Sequence, residues 1–394
     1  MLLSISSTLL FTAFICYLVA TLLFGGAVHG KKEQEKRSHL RFSKAAIVVS
    51  IIGFTANVGY FVTRWLYTGH APVSNMFEFT TAFGMCVVGA FLILYALYRV
   101  PSLGLIALPV AIIIIAYASM FPREVAPLIP ALKSYWLTIH VLTTVIGEAI
   151  LAISAFSGLI YLLKVIDVSK RSMERFWLEF ILYTLVVVIG FVAITSYFNA
   201  TGYEASYTYV DKEGESATIT YHTPALIGMH QYDAQTTEAF EPLVEVPAWI
   251  NAKKLTTVIW SLLAGTVLYG ALRILLRKRL AAVLQPFVQK TTLPLLDEIS
   301  YRSVLIGFPV FTLGALIFAM IWAQEAWSRM WGWDPKEVWA LITWLYYAAF
   351  LHVRLSRGWE GKRSAWLAVL GFAIIMFNLI AVNLIIAGLH SYAE

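Results

Sequence analysis

Tryptophan is concentrated in one short segment, residues 322–339, which carries the clearest chemical signal in the chain. Five of the 13 tryptophans fall within these 18 residues: Trp322, Trp327, Trp331, Trp333 and Trp339. Bilayer interfaces attract Trp, but such a belt distributes its aromatic residues over many helix ends. Because Gly332 lets the backbone approach closely, the cluster better fits a platform for a large, flat, apolar ligand. An interfacial belt remains the alternative.

The same segment contains a helix start. Asp334 is a good N-cap, Pro335 suits the first helical position, and Glu337 can complete a capping box. The sequence therefore predicts that the tryptophan segment leads directly into a helix.

Three of the eight histidines are candidate ligands. His140 lies six residues into an apolar helix, about one and a half turns from its end, and His390 ends the last apolar run. Asn383 lies seven residues before His390 and shares its helix face. His352 ends another helix at the opposite side of the bilayer. Position alone leaves each histidine open as an interfacial polar residue or as a ligand.

Membrane helices must position these residues. The chain is 59% hydrophobic and 13% charged, whereas soluble domains have about a quarter charged residues. This composition excludes a water-soluble enzyme, a disordered chain and a disulfide-stapled secreted scaffold. A span needs roughly 20 apolar residues, and ten such runs predict an all-α polytopic membrane protein with about ten transmembrane helices. The runs lie near 3–27, 44–64, 77–98, 103–121, 135–165, 177–198, 254–276, 303–323, 339–353 and 364–388.

Basic residues in alternate loops predict the orientation. Clusters of Lys and Arg follow the first, fifth, seventh and ninth helices, which marks these loops as cytoplasmic. Both termini and the Trp-rich loop then lie outside. The formal charge of +6 reflects these loops and indicates no nucleic-acid partner.

A long outside loop, residues 199–252, agrees with this orientation. It contains eight acidic residues and one lysine, Lys212. Ala205–Val210 and Ala217–His222 flank a polar turn, which predicts a small β-hairpin.

The motifs resemble a known family. Residues 331–337 (Trp-Gly-Trp-Asp-Pro-Lys-Glu) resemble the tryptophan-rich WWD signature of haem-handling membrane proteins in cytochrome c maturation. Residues 134–141, 382–392 and 69–78 are similar to further motifs of the CcsA/ResC type, the system II cytochrome c synthase subunit. Among these, 69–78 is the weakest signal.

The resemblance implies a set of haem-binding residues. His140 and His390 would be paired axial ligands of haem b at the outer face and would carry the catalytic role. His352 would ligate haem inside the membrane, with a partner ligand from a ResB/CcsB-type subunit. The remaining candidates surround the haem: Trp322, Trp327, Trp331, Gly332, Trp333, Asp334, Trp339 and Asn383.

The implied activity is that of a cytochrome c haem lyase. The chain would move haem to the outer face of a bacterial cytoplasmic membrane and support its attachment to the CxxCH segment of apocytochrome c. Arg329, Arg123 and Lys133 are candidate partners for the haem propionates. Glu148 is expected to form a structural pair inside the bundle, with a proton or charge role near haem as the alternative. The alternatives are a haem exporter or chaperone of the CcmC or CcmF sort, and an unrelated solute transporter.

Four regions follow from this interpretation. Residues 1–64 hold the first two helices, and 65–165 hold core helices three to five with His140. Residues 166–290 form an inserted helix pair with the acidic loop, and 291–394 form the WWD haem-binding core.

Overall fold

A computed structural model describes residues 1–29, 36–124, 133–210, 215–236, 240–247 and 250–382. The α-helices within these residues are α1 (Leu2–His29), α2 (Lys36–Thr68), α3 (Met76–Tyr98), α4 (Pro101–Ala118), α5 (Tyr135–Val165), α6 (Met173–Thr201), α7 (Ala252–Leu276), α8 (Leu280–Val288), α9 (Leu293–Thr312), α10 (Ala319–Trp327), α11 (Pro335–Arg357) and α12 (Lys362–Phe377). Two π-helical segments are πA (Leu313–Phe318) and πB (Asn378–Val382). The strands are β1 (Ala205–Val210), β2 (Ser216–Tyr221), β3 (Ile227–Met229), β4 (Asp233–Ala234) and β5 (Val244–Val246).

The predicted all-α polytopic architecture is confirmed. Ten helices within the described residues are long and apolar enough to cross a membrane. Several extend beyond their apolar runs. The span Leu293–Trp327, which joins α9, πA and α10, begins earlier than residue 303. Charged residues interrupt its apolar run but not its helix, and two of them, Arg302 and Glu298, pair one turn apart at 2.5 Å.

The chain divides into two compact units. Unit 1 comprises residues 1–170 and 284–394, and unit 2 comprises 171–283. Helix α5 forms the centre of unit 1, where it packs against α3, α9 and α12, and 83% of its most apolar window is buried. Close packing depends on small residues. A Cβ added at Gly147 would lie 2.6 Å from the backbone nitrogen of Phe311.

Serine hydroxyls join α5 to α9 further along the same interface. The hydroxyls of Ser154 and Ser300 lie 2.9 Å apart, and Ser157 donates to the carbonyl of Leu296. Hydrogen bonds of this kind satisfy polar groups that lipid cannot. They fix the register of α9 against α5, which carries His140.

Unit 2 contains α6, α7 and the strands between them. The predicted hairpin is confirmed, because β1 pairs antiparallel with β2 in the register Ala205 to Tyr221. Strand β4 pairs with the other edge of β1, and β3 pairs in parallel with β5. Burial raises the pKa of Tyr207 to about 12, so its neutral hydroxyl donates to the carbonyl of Phe240. The strands are tied to α7 where the amide of Ile227 donates to Thr256.

Candidate functional site

A cavity of about 160 Å³ lies in unit 1. Its wall comes from the beginnings of α3 and α11, the first half of α5, the α9–πA–α10 span and πB. We call this region the Trp-loop end of unit 1. The lining residues that could contact a ligand through polar or aromatic groups are Ser74, Asn75, Phe79, His140, Thr144, Glu148, Phe311, Trp322, Trp327, Trp331, Lys336, Glu337 and Asn378.

His140 contributes a ring nitrogen to this wall. Helix α5 begins at Tyr135, where the hydroxyl of Ser134 accepts the amide of Trp136, and this start places His140 in the second turn. Its Nδ1 lies 2.9 Å from the carbonyl oxygen of Gly314. A carbonyl oxygen only accepts, so Nδ1 carries the hydrogen and the lone pair lies on Nε2. Metal-ligating histidines are usually oriented by such a bond.

The carbonyl that orients His140 belongs to πA. A Cβ at Gly314 would collide with the backbone of Thr143 and Thr144, so glycine is required for the segment to approach α5. The hydroxyl of Thr144 also lies 3.5 Å from the Nδ1 of His140. Single π-helical turns occur frequently at functional sites. Here the turn redirects a backbone carbonyl toward an imidazole.

Trp322 forms the wall beside His140. The two rings are stacked, with centroids 5.6 Å apart and 13° between their planes. Trp322 is 2% exposed, and Trp327 packs edge-on against it at 4.8 Å. The imidazole is therefore held by the indole face as well as by its hydrogen bond.

The predicted capping box at the start of α11 is confirmed. The side chain of Asp334 accepts the amide of Lys336 at 3.0 Å. The carboxylate of Glu337 accepts the amides of Gly332 and Asp334 at 2.7 and 3.2 Å. These bonds hold the turn that carries Trp331 into the cavity wall.

A buried ion pair supports the part of the cavity wall at the start of α3. The Nε of Arg64 lies 2.6 Å from a carboxylate oxygen of Glu78, and both side chains are almost fully buried. The other oxygen of Glu78 accepts the hydroxyl and amide of Ser74, while Asn75 caps α3 by accepting the amide of Glu78. The weak sequence motif near 69–78 thus holds Ser74 and Asn75 at the cavity.

Two buried polar groups interact in the interior of unit 1, and one of them, Glu148, lines the cavity. Glu148 is 7% exposed, and within the described residues its carboxylate has no hydrogen-bond or ion-pair partner, so the expected structural pair is not found there. The buried hydroxyl of Tyr347 likewise lacks a partner in that part of the chain, and it interacts electrostatically with Glu148. By contrast, the buried carboxylate of Glu179 accepts three hydrogen bonds, from Tyr269, Leu280 and Ala281.

Comparison with known proteins identifies the family. The model of the family described as cytochrome C assembly protein matches residues 252–390. Proteins named cytochrome c biogenesis protein CcsA are similar over most of the chain. The Microcystis aeruginosa protein is 32% identical over 334 residues, or 84% of this chain and 81% of the relative. This chain belongs to the CcsA family.

Two further CcsA proteins give the same result. The Prochlorococcus marinus protein is 30% identical over 386 residues, or 97% of this chain and 92% of the relative. The Gloeobacter violaceus protein is 30% identical over 348 residues, or 87% of this chain and 84% of the relative. Because these matches cover His140 and the cavity wall as well as the tryptophan segment, the family assignment applies to both halves of the site.

Only part of the residue set expected from CcsA motifs lies together. His140, Trp322, Trp327 and Trp331 line one cavity, although His140 is far from the tryptophans in sequence. The other residues expected from this segment, Gly332, Trp333, Asp334 and Trp339, are not among the lining residues. Trp333 is 70% exposed, Asp334 caps α11, Trp339 packs against Phe377 at 4.4 Å, and Gly332 lies against the guanidinium of Arg329.

The remaining expected histidines are separate from this cavity. His352 is exposed in the last two turns of α11, at the opposite end of that helix from Lys336. His390 and Asn383 lie outside the described residues. The CcsA-type cavity therefore contains one candidate ligand from the part of the chain that the structure describes.

Lys336 is the functional candidate that sequence reasoning missed. None of the three basic residues considered for an anionic ligand lines the cavity: Arg329 contacts Gly332, Arg123 lies over Phe77, and Lys133 is exposed. Lys336 does line it. Its place inside the 331–337 motif was the available signal.

Proposed function

We propose that this CcsA-family chain is the haem-handling subunit of a cytochrome c synthase. In this proposal haem b, the substrate, occupies the half-open cavity and the space at its mouth, with the Nε2 of His140 as one axial ligand. The orientation of His140 by the Gly314 carbonyl carries the proposal, because it directs the lone pair to Nε2. The flat indoles of the wall suit a porphyrin.

The second axial ligand in this proposal is His390. Histidine is the usual nitrogen ligand of haem iron, and Asn378 of πB, which precedes His390 by twelve residues in the chain, lines the cavity. His352 would hold haem earlier, inside the membrane, together with a ResB/CcsB-type subunit. Its exposed position on α11 suits a site completed by a partner chain. The Trp-loop end would then face the periplasm of a bacterial cytoplasmic membrane.

The chemistry assigned to this site is addition of two thiols to two vinyl groups. Each sulfur forms a bond to one vinyl carbon, and the thiol proton ends on the adjacent carbon, so no net oxidation occurs. The two cysteines of this chain, Cys16 and Cys86, lie in separate apolar helices. The sulfurs therefore come from the CxxCH segment of apocytochrome c. The chain contributes by holding the reactants in a fixed geometry, which is a large part of many rate enhancements.

The test combines binding and product formation. The chain is purified with its ResB-type partner from haem-sufficient cells, and its absorbance spectrum is recorded beside the yield of covalent holocytochrome c. We expect haem bands that weaken in H140A and H390A, with loss of holocytochrome. H222A, at an exposed histidine of unit 2, is the matched control. A colourless wild-type complex would overturn the proposal. A haem-loaded complex that forms no thioether bond would instead favour an exporter of the CcmC or CcmF sort.

A further inference from the structure

Both signs of charge occur in the cavity wall. Among the lining residues in the described part of the chain, the cation is Lys336, and the acids are Glu148 and Glu337. One oxygen of Glu337 already accepts two backbone amides at the start of α11. Lys336 is therefore the lining residue of the described chain that can attract an anionic ligand by its charge.

Lys336 lies at the positive end of a helix. It is the second residue of α11, and the positive end of a helix dipole favours negative groups. Asp334 interacts electrostatically with Lys336 but is not part of the cavity wall. Lys336 therefore belongs to the cavity wall, whereas Asp334 does not.

Glu148 also lines the cavity. It is eight residues beyond His140 on α5, which corresponds to about 12 Å along the helix axis. No hydrogen-bond donor or cation is paired to it among the described residues, so this part of the wall offers an anionic ligand no positive partner. The start of α11, by contrast, supplies Lys336.

We infer that Lys336 binds a haem propionate and sets the orientation of haem in the cavity. This inference rests on the proposed function, since it identifies which group of the substrate this residue recognises. The two propionates lie on one side of the porphyrin and the two vinyl groups on the other. Anchoring the propionates at Lys336 turns the reacting vinyl edge away from the start of α11. Lys336 is thus a specificity-determining residue for the orientation in which the thiols meet the haem.

The inference predicts a preference for free carboxylates in the ligand. The purified complex is titrated with haem and with haem dimethyl ester, in which both propionates are neutral, and the ratio of the two dissociation constants is measured. Because hydrogen bonds to charged groups are the strong ones, we expect wild type to favour haem by about tenfold. K336Q is expected to bring the ratio close to one by weakening haem binding alone. K336R, which keeps the charge, should retain the preference.

Two control variants separate this site from its alternatives. K133Q removes a lysine outside the cavity and should keep the wild-type ratio, as should E148Q. Binding of the dimethyl ester by K336Q shows that this variant is folded. If K336Q binds neither ligand, retention of the preference by K336R supports the inference, and its loss in K336R overturns it. A K336Q ratio equal to that of wild type, or a ratio that falls in E148Q instead, also overturns it.

The outcomes for wild type distinguish the two levels of the proposal. If wild type binds haem and its dimethyl ester equally well, the assignment of Lys336 fails while the haem site stands. If wild type binds neither ligand, the proposed function fails and the assignment of Lys336 fails with it.

Discussion

The Nδ1 of His140 and the carbonyl oxygen of Gly314 lie 2.9 Å apart, although 174 residues separate them in sequence. The bond joins α5 to the π-helical segment between α9 and α10. It fixes both the tautomer and the ring plane of the histidine, and the stacked indole of Trp322 supports the same orientation. Substitutions that disturb either neighbour should therefore affect the cavity without removing His140 itself.

We expect Gly314→Ala to disrupt this arrangement. The added methyl group would collide with the backbone of α5 at Thr143 and Thr144, and overpacking of this kind costs about 1–3 kcal/mol. The temperature of thermal unfolding in detergent and the haem content should both decrease. Gly270→Ala is the control, because a Cβ there meets no atom within 4 Å. Equal behaviour of the two variants would contradict the required contact at Gly314.

Trp322→Ala should be strongly destabilising. The side chain is 2% exposed, and loss of a buried Trp typically costs about 3–5 kcal/mol. Trp322→Phe keeps an aromatic face beside His140 and should retain more haem than the alanine variant. Trp333→Ala provides the contrast, since that indole is 70% exposed and its removal should change stability by less than about 0.5 kcal/mol. The measurements are thermal unfolding and the haem spectrum.

The buried pair of Arg64 and Glu78 should contribute more to stability than a similar pair at the surface. Arg64→Gln leaves the carboxylate of Glu78 buried without its cation, which costs about 3–5 kcal/mol. The loop with Ser74 and Asn75 should loosen, and haem affinity should fall with it. Arg302→Gln breaks a half-exposed pair with Glu298 and should cost less than about 1 kcal/mol. Comparable melting temperatures for the two variants would rule out the structural role assigned to Arg64.

The start of α11 can be tested through its cap. Asp334→Ala removes the acceptor for the amide of Lys336 and should cost about 1 kcal/mol. Asp334→Asn should be close to wild type, because Asn and Asp are similarly good N-caps. Thermal unfolding of the two variants checks this prediction. If the asparagine variant is as unstable as the alanine variant, the negative charge of Asp334 is required, and capping alone does not explain the stability.

His352→Ala tests the proposed route of haem. The side chain is exposed on α11, so its loss should leave the melting temperature almost unchanged. With the ResB-type partner present, we expect less haem at the His140 cavity, because delivery fails. The haem-to-protein ratio of the purified complex measures this, with His222→Ala as the control. Wild-type loading in His352→Ala would exclude a role in delivery.

Local features of the fold were predictable from the sequence. The ten spans follow from apolar runs that match the bilayer thickness, and the hairpin that begins at Ala205 follows from alternation around a polar turn. The capping box of Asp334 and Glu337 lies within four residues. Each of these features depends on neighbours in the chain, so the residue pattern is sufficient. The π-helical segments carry no such local signature, because they arise where Gly314 and Asn378 pack against other helices.

The sequence by itself determined that this protein spans a membrane, that tryptophan is concentrated at one helix start, and that His140 lies near the end of a helix. Only the tertiary structure decided which of these groups share a cavity. That depends on the rotation of each helix about its own axis, which is set by contacts between distant segments such as Gly314 against α5. For this reason Lys336 and Glu148 face the same cavity as His140, while Trp333 and Trp339 do not.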